Sequence, residues 1–170
     1  MTLRLTLCAL LASTQLLLPA MTFTNDPIPT VDYSAYTGKW YSLTSIPTFL
    51  DKDWLESAEN YTRTKNGYDV LTTYRKEGET KTREIKSKLF TPKSGPQGAI
   101  KAQFWWPIKV DYTIIALTKD YSVVGHPKKD FLFIMSRTPS LPQPTLDAII
   151  ARCKELGYDT DKLKSQQHRP

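Results

Sequence analysis

Few side chains in this sequence could do chemistry. The two histidines are His126, in a turn-like stretch, and His168, close to the end. Neither has the spacing of a Ser/His/Asp arrangement or of a metal cluster, and no glycine-rich phosphate loop occurs. No catalytic set and no metal site are therefore expected. Of the two cysteines, Cys8 falls in an N-terminal apolar run and Cys153 in a helical stripe. The carboxylate that stands out is Glu59, on the same side of a strand-like run as Tyr61. A carboxyl drawn into a fold has a raised pKa and can transfer protons. Directly after Glu59, Asn60-Tyr61-Thr62 fits a glycosylation sequon.

The elements that must position these groups are short segments rich in β-branched and aromatic residues, separated by turns. They predict strand A at 38–46, B at 57–64, C at 68–76, D at 81–91, E at 98–104, F at 112–118, G at 121–125 and H at 131–137. Asn66-Gly67 is a hairpin signal between B and C. Gly78, Gly95-Pro96 and 127–130 mark other turns. In strand E, Ile100, Ala102 and Phe104 alternate with Lys101 and Gln103. In strand D, Ile85, Ser87 and Leu89 alternate with Glu84, Lys86 and Lys88. The charged set must face water, so the other set points inward. Phe131 to Met135 is apolar on both faces and needs a cover outside. A helix over 141–156 supplies it: Ser140 and Gln143 have capping-box spacing, and Gly157 is a stop. Leu146, Ile149, Ile150, Cys153 and Leu156 form its apolar stripe, which makes Cys153 an inert core residue. The predicted fold is all-β, an eight-stranded antiparallel up-and-down barrel with one C-terminal helix packed outside.

The chain of 170 residues suits one domain. Residues 1–20 read as a signal peptide, with Arg4 the only charge and Leu5 to Leu18 mostly apolar. That run is shorter than the ~20 residues a spanning helix needs, so export is expected, with 21–170 as the barrel domain. Removing the signal leaves Cys153 alone, without a disulfide partner. The net charge is +6, from 23 basic and 17 acidic residues that are interspersed rather than run together. Such a surface has some attraction to anionic lipid but forms no nucleic-acid groove.

Three stretches in order carry a family likeness. Gly38-Lys39-Trp40-Tyr41 comes first, Lys119-Asp120-Tyr121 follows about eighty residues later, and Ser136-Arg137-Thr138-Pro139 comes next. The trio resembles the signature regions of the lipocalins. With 99–104, Pro107, 112–117 and 133–139 nearly in register, the chain is similar to the bacterial, apolipoprotein D-like members over roughly residues 30–165. The resemblance implies that Trp40 plugs the closed end, that Gly38, Asp120 and Tyr121 lie beside it, and that Arg137 packs across the indole. Many bacterial lipocalins of this type are outer-membrane lipoproteins. Here Leu7 precedes Cys8 and most of the apolar run follows it, which departs from a lipidation signal. A soluble periplasmic or secreted product, peripheral to the outer membrane at most, is expected.

The resemblance also implies a cavity for a small hydrophobic or lipid ligand. With Arg137 setting the parity of strand H, the inward candidates are Tyr61, Val70, Thr72, Tyr74, Ile85, Leu89, Ile100, Ala102, Phe104, Tyr112, Ile114, Ala116, Phe131, Phe133 and Met135. Trp54, Trp105, Trp106 and Lys109 fall in loops at the open end, beside Lys52, Lys128 and Lys129. Tryptophan with lysine suits a membrane surface. The expected role is binding a fatty acid, lysophospholipid or similar ligand, for transport or storage at the cell envelope. A lipid-modifying enzyme acting through Glu59 and a tetrapyrrole or haem carrier using His126 are the alternatives. No cofactor is assigned, and the protein is expected as a monomer or homodimer.

Overall fold

Alternation and turn chemistry bring the strands edge to edge. The computed structural model describes residues 26–168, and the expected signal peptide at 1–20 lies outside them. A short helix α1 (Tyr33–Tyr36) precedes β1 (Gly38–Ile46), β2 (Trp54–Thr64), β3 (Gly67–Lys76), β4 (Thr82–Phe90), β5 (Ala99–Trp105), β6 (Ile108–Leu117), β7 (Tyr121–Gly125) and β8 (Leu132–Ser136). Helix α2 (Gln143–Glu155) follows, then a 3-10 turn and a two-residue strand β9 (Lys164–Ser165). Each of β1 to β8 pairs antiparallel with its sequence neighbour, and β1 pairs with both β2 and β8. The result is a closed eight-stranded barrel with α2 outside it.

Closure between β1 and β2 is partial. Gly38–Tyr41 faces Ala58–Tyr61, and above that β1 turns to β9 through Thr44 and Ser45. A β-bulge between Leu55 and Ala58 interrupts the β2–β3 ladder, and Gln166 bonds to Ser57 within it. The Gln166 Oε1 accepts from the Ser57 amide at 2.6 Å and from the Ser57 hydroxyl at 3.0 Å. A buried amide is thereby satisfied by a residue more than a hundred positions away.

Two apolar clusters lie on opposite sides of the barrel wall. The inner one gathers Tyr36, Trp40, Tyr61, Tyr68, Val70, Ile100, Ile114 and Met135. The outer one packs Ile115, Val123, Leu132 and Ile134 against Ile149 and Cys153 of α2. The alternation of Leu132 and Ile134 outward with Phe133 and Met135 inward explains why β8 is apolar on both faces. Burial pushes the Cys153 thiol up to about 12, which leaves it a protonated core group.

Three expectations need correction. Ala116 was expected inside the barrel, but a β-bulge sets Ile114 opposite Val124 and Ala116 opposite Val123. The extra residue reverses the alternation, and Ala116 joins the outer cluster. The capping box at Ser140 does not form, because the helix starts at Gln143 after Pro142 and the Gln143 amide reaches forward to Asp147 at 2.7 Å. Gly67 is not a loop residue, since the turn is 65–66 and Gly67 opens β3. A Cβ there would stand 1.9 Å from the Leu89 carbonyl oxygen, so close backbone approach requires glycine.

Candidate functional site

The closed end is built first, because it decides where the interior begins. Asp32 caps α1 by accepting from the Ser34 amide at 2.9 Å, and the helix lays Tyr36 into the floor. The Trp40 indole donates to the Tyr36 carbonyl at 2.9 Å and is fully buried. Arg137 lies 3.7 Å from the centre of the Trp40 ring. Its guanidinium donates to the Lys39 carbonyl at 2.8 Å, to the Thr37 carbonyl at 2.9 Å and to the Ala35 carbonyl. The Arg137 amide in turn donates to the Asp120 carbonyl at 2.9 Å, with Tyr121 next in the same turn. Gly38 has φ +96°, and a Cβ there would meet the Arg137 guanidinium at 3.4 Å. Gly38, Trp40 and Arg137 thus meet at the floor with the Asp120 carbonyl tied to them, while the Tyr121 side chain packs against the outer cluster.

Above the floor lies a cavity open at the other end. Ten of the expected inward residues line it: Tyr61, Val70, Thr72, Leu89, Ile100, Ala102, Phe104, Tyr112, Phe133 and Met135. Five do not. Ala116 faces α2, as described above. Tyr74 is covered by Trp54, whose ring stacks on it at 3.8 Å. Ile114 is fully buried in the inner core. Phe131 packs between Tyr112 and His126, with ring centres at 5.0 and 4.5 Å. Ile85 sits half-buried on β4 and is not part of the wall. His126 itself is not a free loop side chain: it stacks on Phe131, and its Nδ1 lies 3.2 Å from Asp130.

The wall also contains residues that strand alternation did not reach. Tyr36 enters from α1, and Thr48, Leu50 and Asp51 enter from the loop after β1, which folds into the mouth. Asp51 accepts from the Thr48 amide at 2.7 Å and from the Thr48 hydroxyl. Trp54, expected on the rim, lines the cavity as well.

Glu59 lies inside, opposite Trp40 in the β1–β2 register. One of its carboxylate oxygens accepts from the Tyr61 hydroxyl, and the surface it retains is cavity wall rather than outer surface. Burial holds its carboxyl above the ordinary value of 4.5; the Tyr61 hydrogen bond opposes this and the nearby Asp51 carboxylate adds to it. Burial likewise raises Asp51, against its Thr48 hydrogen bonds. The phenols of Tyr36, Tyr61 and Tyr112 are all pushed upward, first by burial and then by Glu59. They stay protonated and serve as hydrogen-bond donors.

The bore is narrow. Its volume is about 70 Å³, where a single water needs about 10–15 Å³. A second, more open depression of about 630 Å³ lies near Trp106 and shares Val70, Ser87 and Phe104 with the interior. The wall is thin there, because β4 and β5 pair only through 88–90 and 101–103.

Around the mouth, large apolar side chains stand in water. Phe49 is 82% exposed, Trp106 87%, Ile108 63% and Trp105 50%. Lys109 is exposed beside them, with its ammonium 3.8 Å from the centre of the Phe90 ring.

A closed eight-stranded barrel with a tryptophan–arginine floor and an apolar interior defines a lipocalin, and comparison with known proteins agrees. Residues 31–168 match the family described as Lipocalin-like domain, and the chain belongs to that family. It is similar to the outer membrane lipoprotein Blc of Vibrio cholerae, with 27% identity over 141 residues covering 81% of this chain and 82% of that protein. Temperature-induced lipocalin-1 of Arabidopsis thaliana is 28% identical over 139 residues, 75% of this chain and 74% of the relative. Among solved structures, insecticyanin from the tobacco hornworm Manduca sexta superposes with a TM-score of 0.68 at 17% identity, over 85% of this chain and 84% of that one. Lobster apocrustacyanin A1 gives 0.67 at 14% identity, over 87% and 92%.

Proposed function

We propose that this lipocalin carries or stores a slim, single-chain lipid, such as a fatty acid or lysophospholipid, inside the barrel at the cell envelope. The observation that carries the reading is the bore itself: apolar along most of its wall, open at one end and narrow. Such a channel suits an extended acyl chain better than a flat tetrapyrrole. Burying a sixteen-carbon chain releases on the order of 10 kcal/mol gross, at ~0.8 kcal/mol per CH₂. Loss of translational and chain freedom removes several kcal/mol of that, which leaves micromolar affinity.

A carrier role fits the side chains better than catalysis does. Glu59 has one hydroxyl partner, Tyr61, whose own proton is firmly held. No histidine, lysine or arginine lines the cavity among the described residues, which leaves its two carboxylates without a basic partner.

The rim reads as the surface that meets membranes. Phe49, Trp105, Trp106 and Ile108 are apolar and exposed at the open end, with Lys52 and Lys109 near them in sequence. Rings of this kind sit half wet at a lipid interface. The N-terminal apolar run and likeness to proteins named outer membrane lipoprotein support export to the periplasm or beyond.

The test is to purify the protein from its native source, extract it with solvent and identify what it held by mass spectrometry. Single-chain lipids at near one per protein are expected. An empty barrel or a cyclic pigment would contradict the reading.

A further inference from the structure

The charge of the cavity wall is one-sided. Among the described residues that line it, two are carboxylates, Glu59 and Asp51, and none is lysine, arginine or histidine. Arg137 is cut off from the interior by the Trp40 ring it covers. The carboxylates stand at different depths: Glu59 opposite Trp40 of the floor, Asp51 in the loop at the mouth. One oxygen of Glu59 accepts from Tyr61, and its other oxygen has no hydrogen-bond partner among the described residues. The rings near it are those of Tyr36, Tyr61 and Tyr112. An anionic headgroup placed at Glu59 would meet a carboxyl without a compensating cation, at a cost that low polarity magnifies. A fatty acid is therefore held tail first, with its carboxylate left at the mouth. A protonated primary amine meets the opposite conditions: an open carboxylate oxygen, phenol oxygens and aromatic faces.

From this we infer that the deep end of the cavity is a site for a protonated primary amine, so that single-chain amphiphiles bearing an amine enter headgroup first. The inference rests on the barrel interior being the lipid site and adds the headgroup chemistry that this site selects. Binding such a cation ionises Glu59 with release of its proton to water, forms a charge-assisted hydrogen bond to its open oxygen and leaves Tyr61 as donor to the other. The chain of the amphiphile then runs along Val70, Leu89, Ala102 and Phe104 towards the mouth.

The test is calorimetric titration of the purified protein with dodecylamine, dodecanol and dodecanoate near neutral pH, below their micelle-forming concentrations. The amine should bind at least about tenfold more tightly than the alcohol, as expected for an added charge-assisted contact. Glu59→Gln should abolish that advantage, while dodecanoate binds the variant at least as tightly as the parent, which also reports an intact barrel. Should Glu59→Gln not fold, titration of the parent against pH decides. Amine binding must strengthen from acid to neutral pH as Glu59 and Asp51 ionise, with Tyr36, Tyr61 and Tyr112 protonated throughout. Binding of alcohol and acid without preference for the amine would overturn the amine site and leave the lipid reading standing. Failure of all three ligands to bind would overturn both.

Discussion

Arg137 covers the buried face of Trp40 at 3.7 Å while its guanidinium donates to the carbonyls of Ala35, Thr37 and Lys39. One side chain from the end of the barrel thus ties down the first strand, the helix before it and the indole between them. A guanidinium stacked on an indole contributes about 0.5–1 kcal/mol where exposed and about 2 kcal/mol where desolvated, and each hydrogen bond from a charged group about 1.5–3 kcal/mol. The floor is a structural assembly, set apart from the cavity it closes.

Replacing Trp40 with alanine removes a fully buried aromatic and should cost roughly 3–5 kcal/mol of stability. Arg137→Ala should cost about 2–3 kcal/mol, less than the sum of its contacts because the guanidinium is partly exposed and water replaces some of them. Denaturant melts measure both. Midpoints equal to the parent's would show that this end of the barrel does not hold the fold together.

Much of this floor was legible in the sequence. Gly38, Trp40, Asp120, Tyr121 and Arg137 stand in the order of the lipocalin signature regions, and it is that resemblance, rather than their types alone, that makes partners of Trp40 and Arg137. The cover of β8 by α2 was equally legible, since a strand apolar on both faces must have two neighbours. Ala116 was not. Ile114, Ile115 and Ala116 are all apolar, so no polar residue marks which one faces out, and an inserted residue leaves no trace in the pattern. Asp51 and Tyr36 were missed for another reason: they reach the cavity from a loop and a short helix, where alternation carries no information. Glu59 was legible because it shares its side of the strand with Tyr61.

The raised pKa of Glu59 gives a pH dependence of known sign. Unfolded, the carboxyl ionises near its ordinary value of 4.5; folded, it holds its proton to higher pH. Between those two values the folded state binds more protons, so its stability falls as pH rises through the window and stays lower above it. Glu59→Gln removes this term. The variant should therefore gain on the parent as pH rises above the ordinary carboxyl value of 4.5, as read from melting midpoints taken side by side. The difference between the two matters, because Asp51 acts in the same direction in both proteins and Asp32, Asp53 and Glu79, held below their ordinary values, act in the other. Parallel curves would mean that Glu59 ionises as freely inside the barrel as in water.

If the rim meets bilayers, uptake of lipid from vesicles should favour anionic membranes and weaken with salt, each nearby lysine contributing about 1 kcal/mol. Replacing Trp105 and Trp106 together with alanine should slow that uptake more than it slows binding of a soluble short-chain ligand. Both residues are exposed, so the fold should tolerate the change. Equal slowing of both processes would make the rings part of the cavity, and no slowing would remove them from the entrance.

The claim on which the rest depends is that the ligand lies inside the barrel, and filling the bore tests it most directly. Ala102 is buried and lines the cavity, while Lys86 stands on the outer face of the neighbouring strand β4. Binding of a fluorescent fatty acid should be lost in Ala102→Trp, whose ring occupies the channel, and should persist in Lys86→Glu. Circular dichroism on both variants would establish that the barrel is intact. If a folded Ala102→Trp protein binds the fatty acid as tightly as the parent does, the interior is not the binding site.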